Sequence, residues 1–290
     1  MCLVTGANSG IGKEVARELA RLGASVVMAC RDAERGEAAR REIVSVTGNP
    51  SVELMLVDLS SQRSTRDFAR AFLETHARLH VLVNNAGIWS QRKRESIEGV
   101  ELTWSTNVLA YFLLSRLLRD ALVDSQPSRI VNVASELARD LDLSDVEFKR
   151  RPYSGVTAYA QSKQADRMLT WALARRLEGT KVTANAVHPG AVATPLFAKA
   201  GGFAGLASAS WAKLFAKNPR EGANTVAWLA ASSEVEGVSG RFWADRSERR
   251  CRFKDPEAEE ALWRLCESMT GTADASMTHI PLAPRPPRGA

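Results

Sequence analysis

The feature that most constrains this chain is a regular alternation of short, apolar, β-branched runs with longer charged segments that have helical spacing. The apolar runs lie at 3–5, 25–29, 52–57, 80–84, 129–134, 181–187 and 241–244. The segments with helical spacing lie at 10–22, 31–47, 61–77, 99–123, 156–178, 219–232 and 256–269. Strands that alternate with helices form right-handed βαβ crossovers, which place helices on both faces of a parallel sheet. The pattern therefore predicts an α/β fold built on a doubly wound parallel sheet.

The same alternation predicts a single domain over residues 1–270. The segment 191–218 interrupts it after the sixth strand and is rich in Ala, Gly and Phe. A long insertion at this place is expected to form a lid over a substrate. The tail 271–290 gathers prolines and arginines near its end, and we expect it to be disordered.

The composition argues against nucleic acid and metal as partners. The formal net charge is +6, but 39 basic residues are interleaved with 33 acidic ones rather than grouped. The four cysteines are Cys2, Cys30, Cys251 and Cys266. They form no CxxC pair and no cluster with histidine, so we expect no metal site and a reduced, cytoplasmic protein.

Membrane contact is left open by the sequence. No uninterrupted apolar stretch of about 18 residues occurs, so no transmembrane helix is expected. The chain opens almost inside its first strand, and an anchor upstream of Met1 would make the protein membrane-associated. The aromatic, Lys-bearing segment Phe197–Lys217 could touch a bilayer surface or cover an apolar pocket.

A glycine-rich loop connects the first strand to the first helix. Its residues after Thr5 include Gly6, Asn8, Ser9, Gly10, Ile11 and Gly12. Glycines at this place allow a tight turn and a close approach of the backbone to a pyrophosphate, which the helix N-terminus then binds. A glycine-rich turn without a ligand is the alternative, but the strand-loop-helix setting favours a dinucleotide site of the Rossmann type.

The end of the second strand bears on the choice of cofactor. A dinucleotide with a free ribose 2′-hydroxyl usually meets an acidic residue there, whereas this chain has Cys30 followed by Arg31. An arginine suits a 2′-phosphate by charge and by its fork of donors. The sequence thus favours NADP over NAD. The alternative is that Arg31 only begins the next helix and faces water, with Asp32 beside it.

Several motifs in a fixed order resemble the short-chain dehydrogenase/reductase family. Besides the glycine loop they are Asp58-Leu59, Asn84-Asn85-Ala86-Gly87 and Tyr159-Ala-Gln-Ser-Lys163, and the likeness covers roughly 1–245. Further motifs are similar to the retinol dehydrogenase group, namely 29–32, 35–38, 151–154 and 188–190. The resemblance implies a single Rossmann-type domain, NADP(H), and retinoids or other lipophilic aldehydes and alcohols as substrates.

The resemblance also implies binding roles for matching residues. Asp58 and the backbone of Leu59 would lie near the adenine. Asn85, Ala86 and Gly87, with Asn84, would brace the sheet and line the adenosine ribose. Pro189 and Gly190 would border the nicotinamide, and Thr194 would meet its carboxamide. Helices near 100–123 and 156–178 would form a homodimer contact, through apolar residues that include Leu113, Leu114, Leu117, Met168 and Leu169.

Four residues suit proton transfer to a carbonyl. Tyr159 and Lys163 are four apart on a predicted helix, so the ammonium is expected to lower the pKa of the phenol and let it act as general acid or base. Ser135 follows the fifth strand and would steady the substrate oxygen. By the resemblance, Lys163 also holds the nicotinamide ribose and Asn107 takes part in a water-mediated proton path.

Each of these four residues alone has an ordinary explanation, such as a surface pair or a helix cap. Their common order favours an oxidoreductase over the alternative, a dinucleotide-binding scaffold without catalysis. His188 is expected to belong to a turn, and Trp104, Trp171 and Trp228 to pack in the core. Tyr153 either packs or lines the pocket.

Overall fold

The computed structural model describes residues 1–190, 218–251 and 253–272. The expected lid at 191–218, with Thr194 and the bilayer segment, lies outside the described residues except for Asn218, and the tail from 273 onward lies outside them as well. In the described part of the chain no helix is both long enough and apolar enough to cross a membrane.

One sheet forms the centre of the described structure, with strand order β3-β2-β1-β4-β5-β6-β7-β8. The strands are β1 (Cys2–Thr5), β2 (Val26–Cys30), β3 (Val52–Leu56), β4 (Val81–Asn84), β5 (Ser128–Val133), β6 (Val182–His188), β7 (Phe242–Ala244) and β8 (Ser247–Glu248). All neighbouring strands pair in parallel except β7 and β8, which are antiparallel. The predicted doubly wound parallel sheet is confirmed, and the short β8 is an addition that the sequence did not predict.

The helices that flank the sheet agree closely with the predicted segments. They are α1 (Gly10–Arg21), α2 (Ala33–Thr47), α3 (Gln62–Thr75), α4 (Leu102–Trp104), α5 (Ala110–Leu117), α6 (Arg119–Asp124), α7 (Gly155–Arg176), α8 (Pro219–Ala231) and α9 (Pro256–Thr270). The predicted helix 99–123 is the largest difference. It begins at Leu102, contains a π-helical turn at Ser105–Leu109, and breaks at Leu118.

Two apolar layers fill the space between the sheet and its helices. Successive strand residues point to opposite faces, so Leu3 and Val27 join one layer while Val4 and Met28 join the other. Trp104, Trp171 and Trp228 are all buried, as expected from their helical spacing.

The last helix, α9, covers α5 and α7 on the outside. Trp263 meets the ring of Phe112 edge-on, with 4.8 Å between ring centroids. A buried ion pair joins Arg116 to Glu267, and a second pair joins the partly exposed Arg175 to the buried Glu259. The helix is therefore fastened to its neighbours by both apolar and charged contacts.

The residues expected at a dimer contact lie on α5 and α7, which α9 covers. Leu113, Leu114, Met168 and Leu169 are buried within the chain itself, and Leu117 is partly buried against the same core. Their apolar character is explained by the core of one chain. A homodimer stays a prediction that rests on the resemblance alone.

Candidate active site

The carboxyl ends of the parallel strands meet at one edge of the sheet. β1 and β4 are neighbours there although they are far apart in sequence, and the chain turns away from them in opposite directions. Ligands of open α/β sheets bind in the crevice at such a point. The loops after β1, β4, β5 and β6 and the start of α7 bring the predicted site residues to this edge.

The glycine loop is shaped by lack of space. A Cβ on Gly12 would lie 2.5 Å from the Gly6 carbonyl oxygen and 2.4 Å from Nδ2 of Asn85. Gly6 has a φ of +66° and would place a Cβ 2.9 Å from the Ala86 Cα. Because two of these obstacles are backbone atoms, a larger side chain forces the loop itself to move.

The N-terminus of α1 differs from those of the other long helices. Ser9 is the N-cap residue, but its side chain accepts no hydrogen bond from the first turn of α1. The matching residues of α2, α3, α7, α8 and α9 do cap their helices, and they are Asp32, Ser61, Ser154, Asn218 and Asp255. The first N–H groups of α1 thus receive no side-chain acceptor from Ser9. A phosphate accepts such hydrogen bonds and carries the negative charge that a helix N-terminus favours.

Thr5 is a site residue that the sequence reasoning missed. Its hydroxyl accepts hydrogen bonds from the backbone N–H of Asn85 at 2.9 Å and of Ala86 at 3.0 Å. Asn85 returns a bond from Nδ2 to the Thr5 carbonyl at 2.8 Å. Thr5 therefore fixes the loop after β4 against the glycine loop, and a polar residue at the end of a buried strand was the available signal.

Asn84 braces the sheet from within. Its Nδ2 donates to Oδ1 of Asn132 on β5 at 2.9 Å and to the Ser115 hydroxyl at 3.1 Å. Asn132 in turn donates to Thr170 on α7 at 2.9 Å. A chain of buried polar groups thus connects β4, β5 and α7 beneath the candidate site.

Arg31, expected at the adenosine ribose, follows β2, and Asp58 and Leu59, expected near the adenine, follow β3. Arg31 is exposed directly after β2, and it forms no salt bridge with any described residue. Asp58 accepts bonds from the Ser60 N–H at 3.0 Å and the Ser60 hydroxyl at 2.7 Å, and Leu59 beside it is buried. The charge of Arg31 is thus left for another partner.

Pro189 and Gly190 follow β6 at the same edge of the sheet, and they are the last described residues before 218. His188 is the last residue of β6 rather than part of a turn, because it pairs with Ala244. Its Nδ1 accepts the Glu136 N–H at 3.2 Å. The histidine therefore connects the loop after β5 to β6.

Tyr159 is buried in the first turns of α7. Its ring stacks on Trp89 with 4.9 Å between centroids and 16° between planes, and its phenol forms a hydrogen bond with the Ser135 side chain. Trp89 was not singled out in the sequence, although it lies two residues after the Asn84–Gly87 motif. The structure brings Ser135 and Tyr159 together as predicted.

The net pKa shift of Tyr159 is opposite to the one expected. Burial of the phenol raises the pKa of Tyr159, and the charge of Lys163 and the bond with Ser135 offset only part of this effect. The prediction of a lowered pKa is wrong because loss of hydration penalises the phenolate more than one nearby ammonium favours it.

Lys163 lies beneath the tyrosine with two of its donors engaged. Its ammonium donates to the Val133 carbonyl at 2.9 Å and to Oδ2 of Asp166 at 2.8 Å. The ammonium lies 5.9 Å from the centre of the Tyr159 ring and 5.2 Å from that of Tyr111. Burial alone lowers the pKa of Lys163, but Asp166 and the two tyrosines raise it by more, so the side chain is charged.

Asn107 lies in the π-helical turn, a distortion that often marks functional sites. Its Oδ1 accepts the Ile88 N–H at 2.8 Å, and its Nδ2 donates to the Ile88 carbonyl at 3.1 Å and to Ser162 at 3.0 Å. A Cβ on Gly87 would lie 3.5 Å from the Asn107 Oδ1 and 3.9 Å from the Lys163 ammonium. The asparagine thus holds the loop after β4 beside the lysine.

Tyr153 packs beside the site rather than at its centre. Its hydroxyl donates to the Ser90 carbonyl at 2.9 Å and lies 3.3 Å from Oε1 of Glu101. Its ring meets Phe148 edge-on. These contacts account for the residue as a support of the loop that carries Trp89.

Comparisons with known proteins agree with this geometry. A family model described as short chain dehydrogenase matches residues 1–203. Human retinol dehydrogenase 14 is 41% identical over an alignment of 294 residues that covers 93% of this chain and 85% of that protein. Human retinol dehydrogenase 13 is 37% identical, with 97% of this chain and 87% of that protein covered.

Solved structures give the same result. An uncharacterised protein from Mycobacterium paratuberculosis superposes with a TM-score of 0.75 at 33% identity, covering 93% of this chain and 92% of that one. A short chain dehydrogenase from Burkholderia cenocepacia in complex with NADP superposes with a TM-score of 0.67 at 29% identity. In that pair 83% of this chain and 94% of the other are covered.

Proposed function

Because the chain belongs to the short chain dehydrogenase family, and within it to the retinol dehydrogenase group, we propose that it is an NADP(H)-dependent oxidoreductase for lipophilic carbonyls and alcohols. It would transfer a hydride between the nicotinamide and the reacting carbon. Retinoid-like compounds and medium-chain aldehydes are the proposed substrate class.

The observation that carries the proposal is the meeting of Ser135, Tyr159 and Lys163 at the crevice of the sheet. The loop after β5 and the helix α7 have to converge to bring a hydroxyl, a phenol and an ammonium together in a buried cluster. Buried polar groups are costly unless they are satisfied or used, so such a cluster at a ligand crevice favours chemistry.

In carbonyl reduction, oxygen gains negative charge as carbon receives a hydride, and a proton must follow. When bound, the nicotinamide supplies that hydride. Tyr159 would donate the proton, because its phenol is protonated at neutral pH and hydrogen-bonds with Ser135. Ser135 would donate a hydrogen bond to the developing oxyanion.

Lys163 would act in two ways. Its positive charge stabilises the phenolate that Tyr159 becomes after giving up its proton. Two of its three donors are engaged by Val133 and Asp166, which leaves one for a ribose hydroxyl of the cofactor. Asn107 would keep the loop after β4 in place beside this ammonium and adjoin a water path for the proton.

The preference for NADP rests on Arg31. Its guanidinium is exposed and forms no salt bridge with the described residues, and it lies at the end of β2, where a 2′-phosphate is expected in this fold. The NADP complex of the Burkholderia protein supports the same cofactor at the level of the family. The uncapped start of α1 would receive the pyrophosphate of either dinucleotide.

The test is oxidation of NADPH and, in parallel, NADH with all-trans-retinal, medium-chain aldehydes, a steroid ketone and a quinone. Turnover of retinal or the aldehydes with NADPH alone is the expected result. Tight NADPH binding without turnover of any of these compounds would contradict the substrate class and favour the non-catalytic scaffold. Membrane association stays a separate prediction, which co-sedimentation with phospholipid vesicles would decide.

A further inference from the structure

Asp166 is a buried carboxylate that the proposed reaction does not use directly. It lies three residues after Lys163 on α7, so the two side chains share a face of the helix. Its Oδ2 accepts the Lys163 ammonium at 2.8 Å, and its side chain has no exposed surface. It reaches the site through this lysine.

The second oxygen of Asp166 has a different surrounding. Oδ1 has no hydrogen-bond partner among residues 1–190, 218–251 and 253–272. Asp166 lines a small cavity of about 10 Å³, whose polar lining also includes Tyr111, Ser115 and Asn132. The Tyr111 hydroxyl also has no partner within these residues. This cavity is near the lower limit for one water molecule.

A buried carboxylate with a hydrogen-bond partner for only one of its two oxygens contributes little to folding stability. Removing two charges from water costs more than their attraction returns unless the remaining lone pairs are also satisfied. In Asp166, one oxygen pairs with Lys163 and the other does not meet this condition. The arrangement is therefore better explained by its effect on the lysine than by its contribution to folding.

The charged and titratable groups around Asp166 come from three elements. On its own helix these are Lys163 and Tyr159, and α5 contributes Tyr111. On α9, Cys266 is buried nearby, and Glu267 is already paired with Arg116. Within the described chain, Lys163 is thus the cation that bonds this carboxylate.

We propose that Asp166 is a positioning residue that holds the Lys163 ammonium under Tyr159 and offsets part of the positive charge that the tyrosine meets. The inference rests on the proposed role of Tyr159 as proton donor. Its consequence is that the phenol stays protonated, and able to donate its proton in carbonyl reduction, up to a higher pH.

The sign of the effect follows from the charges. The ammonium of Lys163 lowers the pKa of Tyr159, and the carboxylate of Asp166 raises it. Asp166→Asn keeps an oxygen that accepts the lysine bond but removes the negative charge. The pKa of Tyr159 is then expected to fall. Reduction, which needs the protonated phenol, would be lost at a lower pH than in the native protein.

The experiment is a phenolate absorbance titration of the full chain saturated with NADPH. The chain has three tyrosines, and burial raises the pKa of Tyr153 to about 12 and that of Tyr111 further. Subtracting the titration of Tyr159→Phe isolates the signal of Tyr159. The matched control is Glu259→Gln, because Glu259 is also a buried carboxylate paired with a cation. Its partner Arg175 lies 16 residues beyond Tyr159 along α7, about 24 Å away.

A downward shift in Asp166→Asn with no shift in Glu259→Gln is the expected result. An unchanged or upward shift in Asp166→Asn would overturn the proposal. Turnover adds a second readout: Asp166→Leu, which cannot hold the ammonium, should lose about tenfold, and Asp166→Asn should recover most of it. Equal losses in both variants would contradict the positioning role.

Misfolding of a variant and failure of the proposed function can each be distinguished from failure of this proposal. If Asp166→Asn does not fold, Asp166→Ser carries the same test, since it removes the same charge. If Tyr159→Phe keeps normal turnover, the proposed function fails, while the absorbance titration still decides whether Asp166 and Tyr159 are coupled.

Discussion

The glycine loop and the proton-transfer cluster lie at the same edge of the sheet but are built by different means. The loop is specified by shape, since Gly6 and Gly12 face backbone atoms at distances that admit no side chain. The cluster is specified by charge, since Tyr159, Lys163 and Asp166 are buried polar groups that depend on one another. A substitution in the loop should therefore damage structure and binding together, whereas loss of the Tyr159 hydroxyl in the cluster should damage chemistry alone.

The largest expected effect tests the cluster. Tyr159→Phe removes the proton donor while keeping the ring that stacks on Trp89, so turnover should fall by about 10³-fold. NADPH affinity and melting temperature should stay near those of the native protein. Steady-state kinetics, fluorescence titration and calorimetry measure the three quantities. A parallel loss of cofactor binding would break the distinction between the two regions.

The next effect tests the loop. Gly12→Ala places a methyl group against the Gly6 carbonyl and should cost about 2–3 kcal/mol of unfolding free energy, with weaker NADPH binding. Gly23→Ala is the control, because Gly23 has a φ of +81° but no atom within 4 Å of the added carbon. Its cost should be about 1 kcal/mol, with unchanged binding. Equal effects in urea unfolding would show that crowding is not what specifies the loop.

A smaller effect concerns the ribose side of the crevice. Arg31→Asp replaces a cation with an acid at the end of β2 and should reduce the NADPH/NADH ratio of kcat/KM by about tenfold or more. Arg41→Asp makes the same charge reversal at an exposed arginine inside α2, ten residues further along the chain, and should leave the ratio unchanged. No change in the Arg31 variant would remove this residue as the discriminator.

The smallest effect concerns Tyr153, which supports the loop between the two regions. Tyr153→Phe loses the bond to the Ser90 carbonyl and should cost about 1 kcal/mol of unfolding free energy. Turnover should change by less than about threefold, since the hydroxyl does not reach the cluster. A large loss of turnover at unchanged stability would instead assign Tyr153 to the pocket.

The strands could be predicted from sequence because a buried parallel strand needs a continuous apolar run, as in Val81–Leu82–Val83. Helix ends were less predictable, since they depend on caps. Asp32 caps α2, so the helix begins at Ala33, two residues later than the spacing suggested. The π-helical turn around Asn107 has no periodic signal, because its extra residue is fixed by the contacts with Ile88.

The site was predictable where a motif has a fixed place along the chain and unpredictable where tertiary neighbours decide. Tyr159 and Ser135 were expected to meet, and they do. Thr5 and Trp89 belong to the site through contacts with Asn85 and Tyr159, which are distant from them in sequence. The net pKa shift of Tyr159 was unpredictable for the same reason, because helical spacing reveals the nearby lysine but not the depth of burial.

The last helix has a consequence for assembly. Because α9 occupies the outer face of α5 and α7, a second copy could reach that face only after α9 had detached. Detachment would break the ion pair of Arg116 with Glu267 and that of Arg175 with the buried Glu259, and it would uncover Trp263. A buried charge that loses its partner is strongly unfavourable. In this region the chain thus supplies from its own C-terminal part the surface that a neighbouring subunit would otherwise provide, and self-association there would compete with the intramolecular contact.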